Sequence, residues 1–195
     1  MELQHSHSPT AIASRLSKGS SPNYLRDWVF GGIDGAVTTF AIVAGVVGAS
    51  LSPKIVLIMG IANLVADGIS MAAGNFSATK TERDELARTR SVEEEHIRTN
   101  PEGEREEIRQ IFARKGFDGE SLETVVNTIT SNRKLWISTM LSEEHGLSET
   151  VRNPSISGLV TFFAFILCGA VPLFPYLLMS PNHAFVVATT LTMIV

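Results

Sequence analysis

The sequence predicts an all-α fold, a polytopic bundle of membrane helices interrupted by a cytoplasmic helical insertion. Apolar residues are concentrated toward the two ends of the 195-residue chain, in runs long enough to cross a bilayer. The piece from Thr81 to Glu149 instead holds sixteen of the twenty acidic residues and ten of the sixteen basic ones. Its six net negative charges argue against nucleic acid as a partner, because such a partner requires a basic face.

Residues 1–24 are expected to form a flexible cytoplasmic tail. The tail contains His5, His7 and several serines but no continuous apolar core, so it lacks the pattern of a cleaved signal peptide. Two histidines this close together are compatible with a bound metal, although a disordered tail is the favoured interpretation.

Residues 25–79 are predicted to form the first two transmembrane helices. The run Trp28–Ser50 has a single charge, Asp34, and the run Ile55–Asn75 has a single charge, Asp67. Each run covers a hydrocarbon core of about 30 Å at a rise of about 1.5 Å per residue. Because only four residues separate the runs, the two spans should form an antiparallel hairpin.

Residues 80–153 are predicted to form the acidic helical domain. The second membrane helix is expected to continue into this domain, since residues 77–97 contain neither proline nor glycine. Asn100-Pro101 is typical of a helix start, whereas Gly116 and Gly146 are plausible stops. The helices expected between these signals cover Glu102–Lys115, Ser121–Thr130 and Arg133–Glu144.

Residues 154–195 are predicted to form a third and a fourth transmembrane helix. Pro172 and Pro175 should kink or end the apolar run Ile156–Met179. The last run, His183–Val195, is shorter than the roughly 20 residues of a full span, so we expect the chain to be truncated within that helix. The lone Cys168 excludes an intramolecular disulfide.

The distribution of basic residues predicts the orientation. Lysines and arginines flank the spans on the side of the tail and the insertion, and the opposite side has only Lys54. The positive-inside rule therefore places the tail and the insertion in the cytoplasm. The expected location is therefore a cell membrane, with the tail and the insertion on its cytoplasmic face.

Acidic residues within the spans are the first candidates for function, because a charge at the centre of a membrane helix costs about 3 kcal/mol. Asp34 and Asp67 lie on consecutive helices, and Asp27 lies two turns before Asp34. Asn63, Asp67 and Met71 follow at intervals of four residues, so they share one helix face. Carboxylate, amide and thioether ligands suit a divalent transition metal. The alternative is that each aspartate only bonds to a neighbouring helix.

The insertion adds further potential ligands. Glutamates and a histidine end one predicted helix at Glu93–His96, and glutamates open the next at Glu102–Glu107. Met140 and Glu144 lie one turn apart on a third helix. Considered alone, such helices are more often solvated faces paired with arginines, but beside an acidic membrane pathway a metal-collecting role is favoured.

Four segments of the chain resemble the vacuolar iron transporter family of divalent-metal transporters, and its bacterial branch most of all. These segments are Arg26–Gly35 (RDWVFGGIDG), Asp67–Gly74 (DGISMAAG), Trp136–Leu147 and Gly169–Tyr176 (GAVPLFPY).

The resemblance implies a homodimer of five-helix membrane domains with the metal path between the subunits. It implies a transporter, not an enzyme, that exchanges Fe²⁺, and often Mn²⁺, for protons and holds no permanent cofactor; Zn²⁺ and Co²⁺ are further candidate substrates. Residues that match the family's transport path are Asp27, Asp34 and Met71. Residues that match metal-binding positions of its insertion are Glu93, Glu104, Glu107, Met140 and Glu144, with Glu95 or His96 at one further position. Asn63 stands where many relatives have a glutamate, so Asp67 is expected to supply the charge there.

Two other functions remain open. A membrane-anchored metal sensor or buffer would need only the acidic domain. An intramembrane aspartyl protease would use two aspartates that share a proton, but the tight hairpin and the Glu-rich insertion argue against it.

Overall fold

The structure is a computed structural model that describes residues 6–18 and 21–194. It confirms the all-α prediction, since the described residues contain helices and no strand. The α-helices are α1 (Pro9–Lys18), α2 (Leu25–Gly48), α3 (Pro53–Thr99), α4 (Pro101–Arg114), α5 (Gly119–Thr130), α6 (Arg133–Glu143), α7 (Pro154–Ala170), α8 (Pro175–Leu178) and α9 (Pro181–Ile194). A 3₁₀ turn, Val171–Leu173, joins α7 to α8.

The N-terminal segment contains the helix α1, which occupies ten of its residues, and the flexibility of this tail stays a prediction. Pro9 stands at the start of α1, a position where its missing N–H costs no hydrogen bond. The Ser8 hydroxyl accepts a hydrogen bond from the Ala11 backbone N–H at 3.3 Å, as an N-cap residue does. The metal interpretation of His5 lies outside the described residues.

Three helices in the described part of the chain are long and apolar enough to cross a membrane. They are α2, α3 and the segment Pro154–Leu173. The last predicted span corresponds to a shorter apolar helix, His183–Ile194. The chain is therefore a membrane helical protein, as predicted.

The chain divides into two compact units. The first comprises the described residues up to Thr79 together with those from Arg152 onward, and the second comprises Lys80–Val151. Helix α3 runs through the boundary without a break, since it extends over 47 residues. The second unit is called the insertion below.

Close contact between α2 and α7 organises the first unit. A Cβ atom added to Gly31 would lie 2.5 Å from the Thr161 carbonyl oxygen, and one added to Gly35 would lie 2.3 Å from that of Phe165. Membrane helices pack by such small-residue contacts because lipid tails give apolar side chains no reason to associate. Gly31 and Gly35, one helical turn apart on α2, therefore form the surface against which the α7 backbone packs.

An apolar cluster fills the same unit beyond this contact. Its fully buried members come from several helices, and Phe165 of α7 packs there with Val43 of α2 and Val56 of α3. Helix α7 ends at Ala170, directly before the 3₁₀ turn that contains Pro172. Proline lacks the N–H that the α-helix needs, which explains why the apolar run Ile156–Met179 is not one continuous helix.

The insertion has a core of its own. Ile108 of α4, Val126 of α5 and Met140 of α6 are fully buried and pack together with Ile129 and Trp136. The helix ends follow the predicted signals: the Asn100 side chain accepts a hydrogen bond from the Gly103 N–H at 3.3 Å. Gly116 and Gly146 have φ angles of 93° and 65°, which glycine adopts without strain.

Candidate metal sites

The two aspartates within the spans lie near each other. Asp34 of α2 and Asp67 of α3 are both partly buried, and they are close enough for their charges to interact. The Thr38 hydroxyl donates its hydrogen bond to the Asp34 backbone carbonyl at 2.8 Å, not to the carboxylate. The contact with Thr38 therefore does not support the alternative in which the Asp34 side chain only forms hydrogen bonds within the helix bundle.

Two further predicted residues lie along α3. The Asn63 amide is 3.5 Å from the Thr38 hydroxyl, which places Asn63 one helical turn from Asp34 across the α2–α3 contact. Met71 is partly buried and packs against the apolar cluster of the first unit. The amide, carboxylate and thioether thus line one side of α3, and their role as ligands stays a prediction.

Asp27 takes part in a polar network at one end of the spans. Its residue exposure is 2%, and one carboxylate oxygen accepts hydrogen bonds from Arg152 at 2.5 Å and from Asn75 at 3.0 Å. The Asn75 amide also donates to the Thr161 hydroxyl at 2.6 Å. Asp27 therefore ties α2 to α3, to α7 and to the residue that leads into α7, instead of lying open at a mouth. Its predicted place on a metal path remains untested by this geometry.

The insertion brings three predicted ligands together. Glu93, His96 and Glu104 each offer one donor atom, and these atoms lie within 4.8 Å of one another. His96 Nδ1 is 3.3 Å from Glu104 Oε1. Glu93 and His96 are three residues apart on α3, so they share a face that meets Glu104 in the first turn of α4.

A second group shares Glu93. It consists of Glu93, Glu144 and His145, whose donor atoms also lie within 4.8 Å of one another. His145 Nε2 is 3.0 Å from Glu93 Oε1. Glu93 thus belongs to both groups, and each group contains one histidine.

Burial perturbs the carboxyl groups of these clusters. Glu93 and Glu104 have residue exposures of 2% and 4%, and one oxygen of each finds no hydrogen-bond partner among the described residues. Burial raises the pKa of Glu104 to about 7; the neighbouring Glu107 and Glu93 add to this, and His96 opposes it. Burial also raises the pKa of Glu144. Buried carboxyl groups with raised pKa values are typical of functional sites, and a bound cation would favour their ionised form.

The remaining predicted residues of the insertion are placed differently. Glu107 is exposed but close enough to Glu104 and Glu144 for their charges to interact. Met140 is fully buried in the apolar core. Glu95 is exposed and paired with Arg98, which lowers the Glu95 pKa through its hydrogen bond. Of the two residues considered for one position, the structure brings His96, not Glu95, to the cluster.

Sequence reasoning missed two participants. His145 follows the last turn of α6, and its adjacency to Glu144 was the available signal. Arg152 was not among the candidate site residues, and nothing in its sequence context indicates that it reaches Asp27, 125 positions earlier.

The fold and these clusters define a membrane helical protein with an acidic helical insertion that contains two groups of candidate metal ligands. Comparison with known sequences identifies the family: residues 25–195 match the VIT family, so the chain belongs to it. Similar relatives include "Vacuolar iron transporter" of Toxoplasma gondii, 39% identical over 157 residues, which are 79% of this chain and 52% of that protein. "Vacuolar iron transporter 1" of Arabidopsis thaliana is 36% identical over 166 residues, 85% of this chain and 66% of its own length. "Vacuolar iron transporter 1" of Eucalyptus grandis is 35% identical over 168 residues, 86% of this chain and 68% of its own length.

The chain spans between about half and about two thirds of the length of these relatives. The match includes both membrane aspartates and the whole insertion. Family membership confirms the resemblance derived from the four sequence segments.

Proposed function

We propose that this protein transports divalent iron across a membrane, and that it also accepts Mn²⁺. The names of the relatives support iron as the cargo. The observation that carries the proposal is the approach of Asp34 and Asp67 on two consecutive spans. Two carboxylates placed close together within a membrane are costly unless a cation or protons neutralise them.

Exchange of metal for protons follows from the chemistry of the Asp34 and Asp67 carboxylates. Either a bound divalent cation or bound protons can neutralise their negative charge, so binding of one displaces the other. Metal and protons therefore compete for one site and move in opposite directions across the bilayer. Asn63 supplies an amide oxygen and Met71 a thioether, which together favour a transition metal over Ca²⁺ or Mg²⁺.

The insertion supplies the metal to this path. Its clusters around Glu93 hold the cation on the cytoplasmic side, and Fe²⁺ then leaves the cytoplasm through the spans. A homodimer would cover the exposed apolar face of α2 that flanks Asp34, formed by Val29, Phe30, Ile33 and Val37. Lipid covers the apolar surface that the dimer leaves exposed.

The test is metal uptake by the full-length protein in liposomes that contain a pH-sensitive dye. We expect saturable entry of Fe²⁺ and Mn²⁺, accompanied by proton movement in the opposite direction. Asp34→Asn should abolish both signals, whereas Asp84→Asn, on the exposed surface of the insertion, should leave both unchanged. Unimpaired uptake by Asp34→Asn would refute the assignment.

A second function, a membrane-anchored metal sensor or buffer, is favoured by one observation. Both groups of candidate ligands identified among the described residues lie wholly within the insertion. A sensor would bind metal equally well with Asp34 replaced and would produce no flux in any variant.

A further inference from the structure

Two histidines lie on either side of the buried Glu93 in the insertion. His145 Nε2 is 3.0 Å from one oxygen of Glu93, and His96 Nδ1 is 3.3 Å from one oxygen of Glu104. The imidazole of His145 is about one third exposed and that of His96 about half exposed. Cations from solvent can therefore reach both rings, while the carboxylates beside them are almost completely buried.

A purely structural pairing of histidine with glutamate accounts for only half of this arrangement. It satisfies one oxygen of Glu93 and one of Glu104. The second oxygen of each carboxylate is buried without a hydrogen-bond partner in the described part of the chain. An unsatisfied buried polar atom destabilises the folded state, and does so more strongly when it is charged. Two such atoms in one cluster need a partner from solvent, such as a water molecule or a cation.

A metal ion meets this requirement. Protein ligands lie about 2.0–2.2 Å from such an ion, so the donor atoms around it are at most about 4.4 Å apart. The donor atoms of each three-residue group already lie within 4.8 Å of one another. Small side-chain adjustments therefore suffice for a cation to bind.

The choice of donors determines which cations bind best. Carboxylate oxygens alone serve Mg²⁺, Ca²⁺ and Mn²⁺, whereas an imidazole nitrogen strengthens binding of Fe²⁺, Co²⁺ and Zn²⁺. Each group here contains one imidazole: His96 beside Glu93 and Glu104, and His145 beside Glu93 and Glu144.

We propose that His145 is a metal ligand and that, with His96, it makes the insertion bind Fe²⁺, Co²⁺ and Zn²⁺ more tightly than Mn²⁺ and Mg²⁺, while Mn²⁺ is still accepted. The proposal rests on the proposed function for the identity of the cargo, and it deepens that function by naming the step that discriminates among cations. Since Nε2 binds the metal, the ring proton of His145 resides on Nδ1.

The test compares cation affinities of the full-length protein in detergent. Isothermal titration with Zn²⁺, Co²⁺ and Mn²⁺ is performed on the wild type, His145→Gln and His183→Gln. His183 is an exposed histidine of the first unit whose ring contacts Ser180, so its replacement is the matched control. We expect His145→Gln to weaken Zn²⁺ and Co²⁺ on the order of tenfold or more, and Mn²⁺ by less than about threefold. Equal losses for all three cations, or no loss, would overturn the proposal.

A spectroscopic measurement identifies the ligand directly. Co²⁺ bound to an imidazole gives a strongly shifted, exchangeable N–H proton signal for that ring. We expect His145→Gln and His96→Gln each to remove one such signal, and His183→Gln to remove none. If the His145→Gln variant still shows every shifted N–H signal of the wild type, the assignment is contradicted. This holds even if the variant is less stable than the wild type.

The selectivity proposal and the transport proposal can be refuted independently of each other. An unchanged Co²⁺-to-Mn²⁺ affinity ratio in His145→Gln removes the selectivity role, even if the wild type transports iron. Absence of flux in liposomes removes the transport proposal, even if the affinity ratio shifts as expected.

Discussion

Replacing Gly35 by alanine tests the contact between α2 and α7 that positions Asp34. The added Cβ atom would lie 2.3 Å from the Phe165 carbonyl oxygen and 2.9 Å from its Cα. A comfortable carbon–oxygen contact is about 3.3 Å, so the helices must separate by roughly 1 Å. The Phe165 atoms that the new Cβ would meet belong to the backbone, so the clash cannot be relieved by a change of side-chain rotamer. We therefore expect Gly35→Ala to cost about 1–3 kcal/mol of stability, toward the upper end of the overpacking range.

Gly45 on the same helix provides the control. A Cβ added there meets no atom within 4 Å, and Gly45 is exposed. Since alanine is the better helix former by up to about 1 kcal/mol, Gly45→Ala should leave stability unchanged or raise it slightly. Thermal unfolding of both variants in one detergent measures the difference. Equal melting temperatures for Gly35→Ala and Gly45→Ala would refute the close contact.

Three further predictions concern buried groups. Arg152→Gln leaves the Asp27 charge without its guanidinium, so it should destabilise the protein by about 3–5 kcal/mol; a double replacement with Asp27→Asn should recover part of this in thermal unfolding. Because the Glu104 pKa is raised from 4.5 to about 7, the folded, metal-free protein holds a proton that the unfolded chain releases. Its stability should therefore fall by about 1–2 kcal/mol as pH rises from 4.5 through 7, and melting curves of Glu104→Gln in chelator should show only the smaller fall that Glu144 contributes. Met140→Ala should cost about 2–5 kcal/mol in urea unfolding because it empties a fully buried site, whereas Met140→Leu should cost less than about 1.5 kcal/mol.

The spans and the insertion were predictable because their signals are local. Long apolar runs with one charge each define α2 and α3, and caps such as Asn100-Pro101 define the helix boundaries of the insertion. The proline break after α7 follows from the backbone chemistry of Pro172 alone. Each of these features depends on residues within a few positions of one another.

The site was predictable only in part because it depends on contacts between distant residues. The i, i+3 relation of Glu93 and His96 can be derived from α3. Their meeting with Glu104 and His145 depends on how α4 and α6 pack, which the pattern does not specify. The same holds for Asp27, whose contact with Arg152 and Asn75 makes it part of a buried network.

The most direct test of the central claim measures metal binding and metal flux on the same liposomes. The comparison is between the wild type and Asp34→Asn of the full-length protein. If the spans carry the cation, Asp34→Asn should still bind Fe²⁺ at the insertion but transport none, while the wild type does both. If the wild type binds Fe²⁺ without flux, the transport proposal is contradicted and the protein is a membrane-anchored metal buffer or sensor.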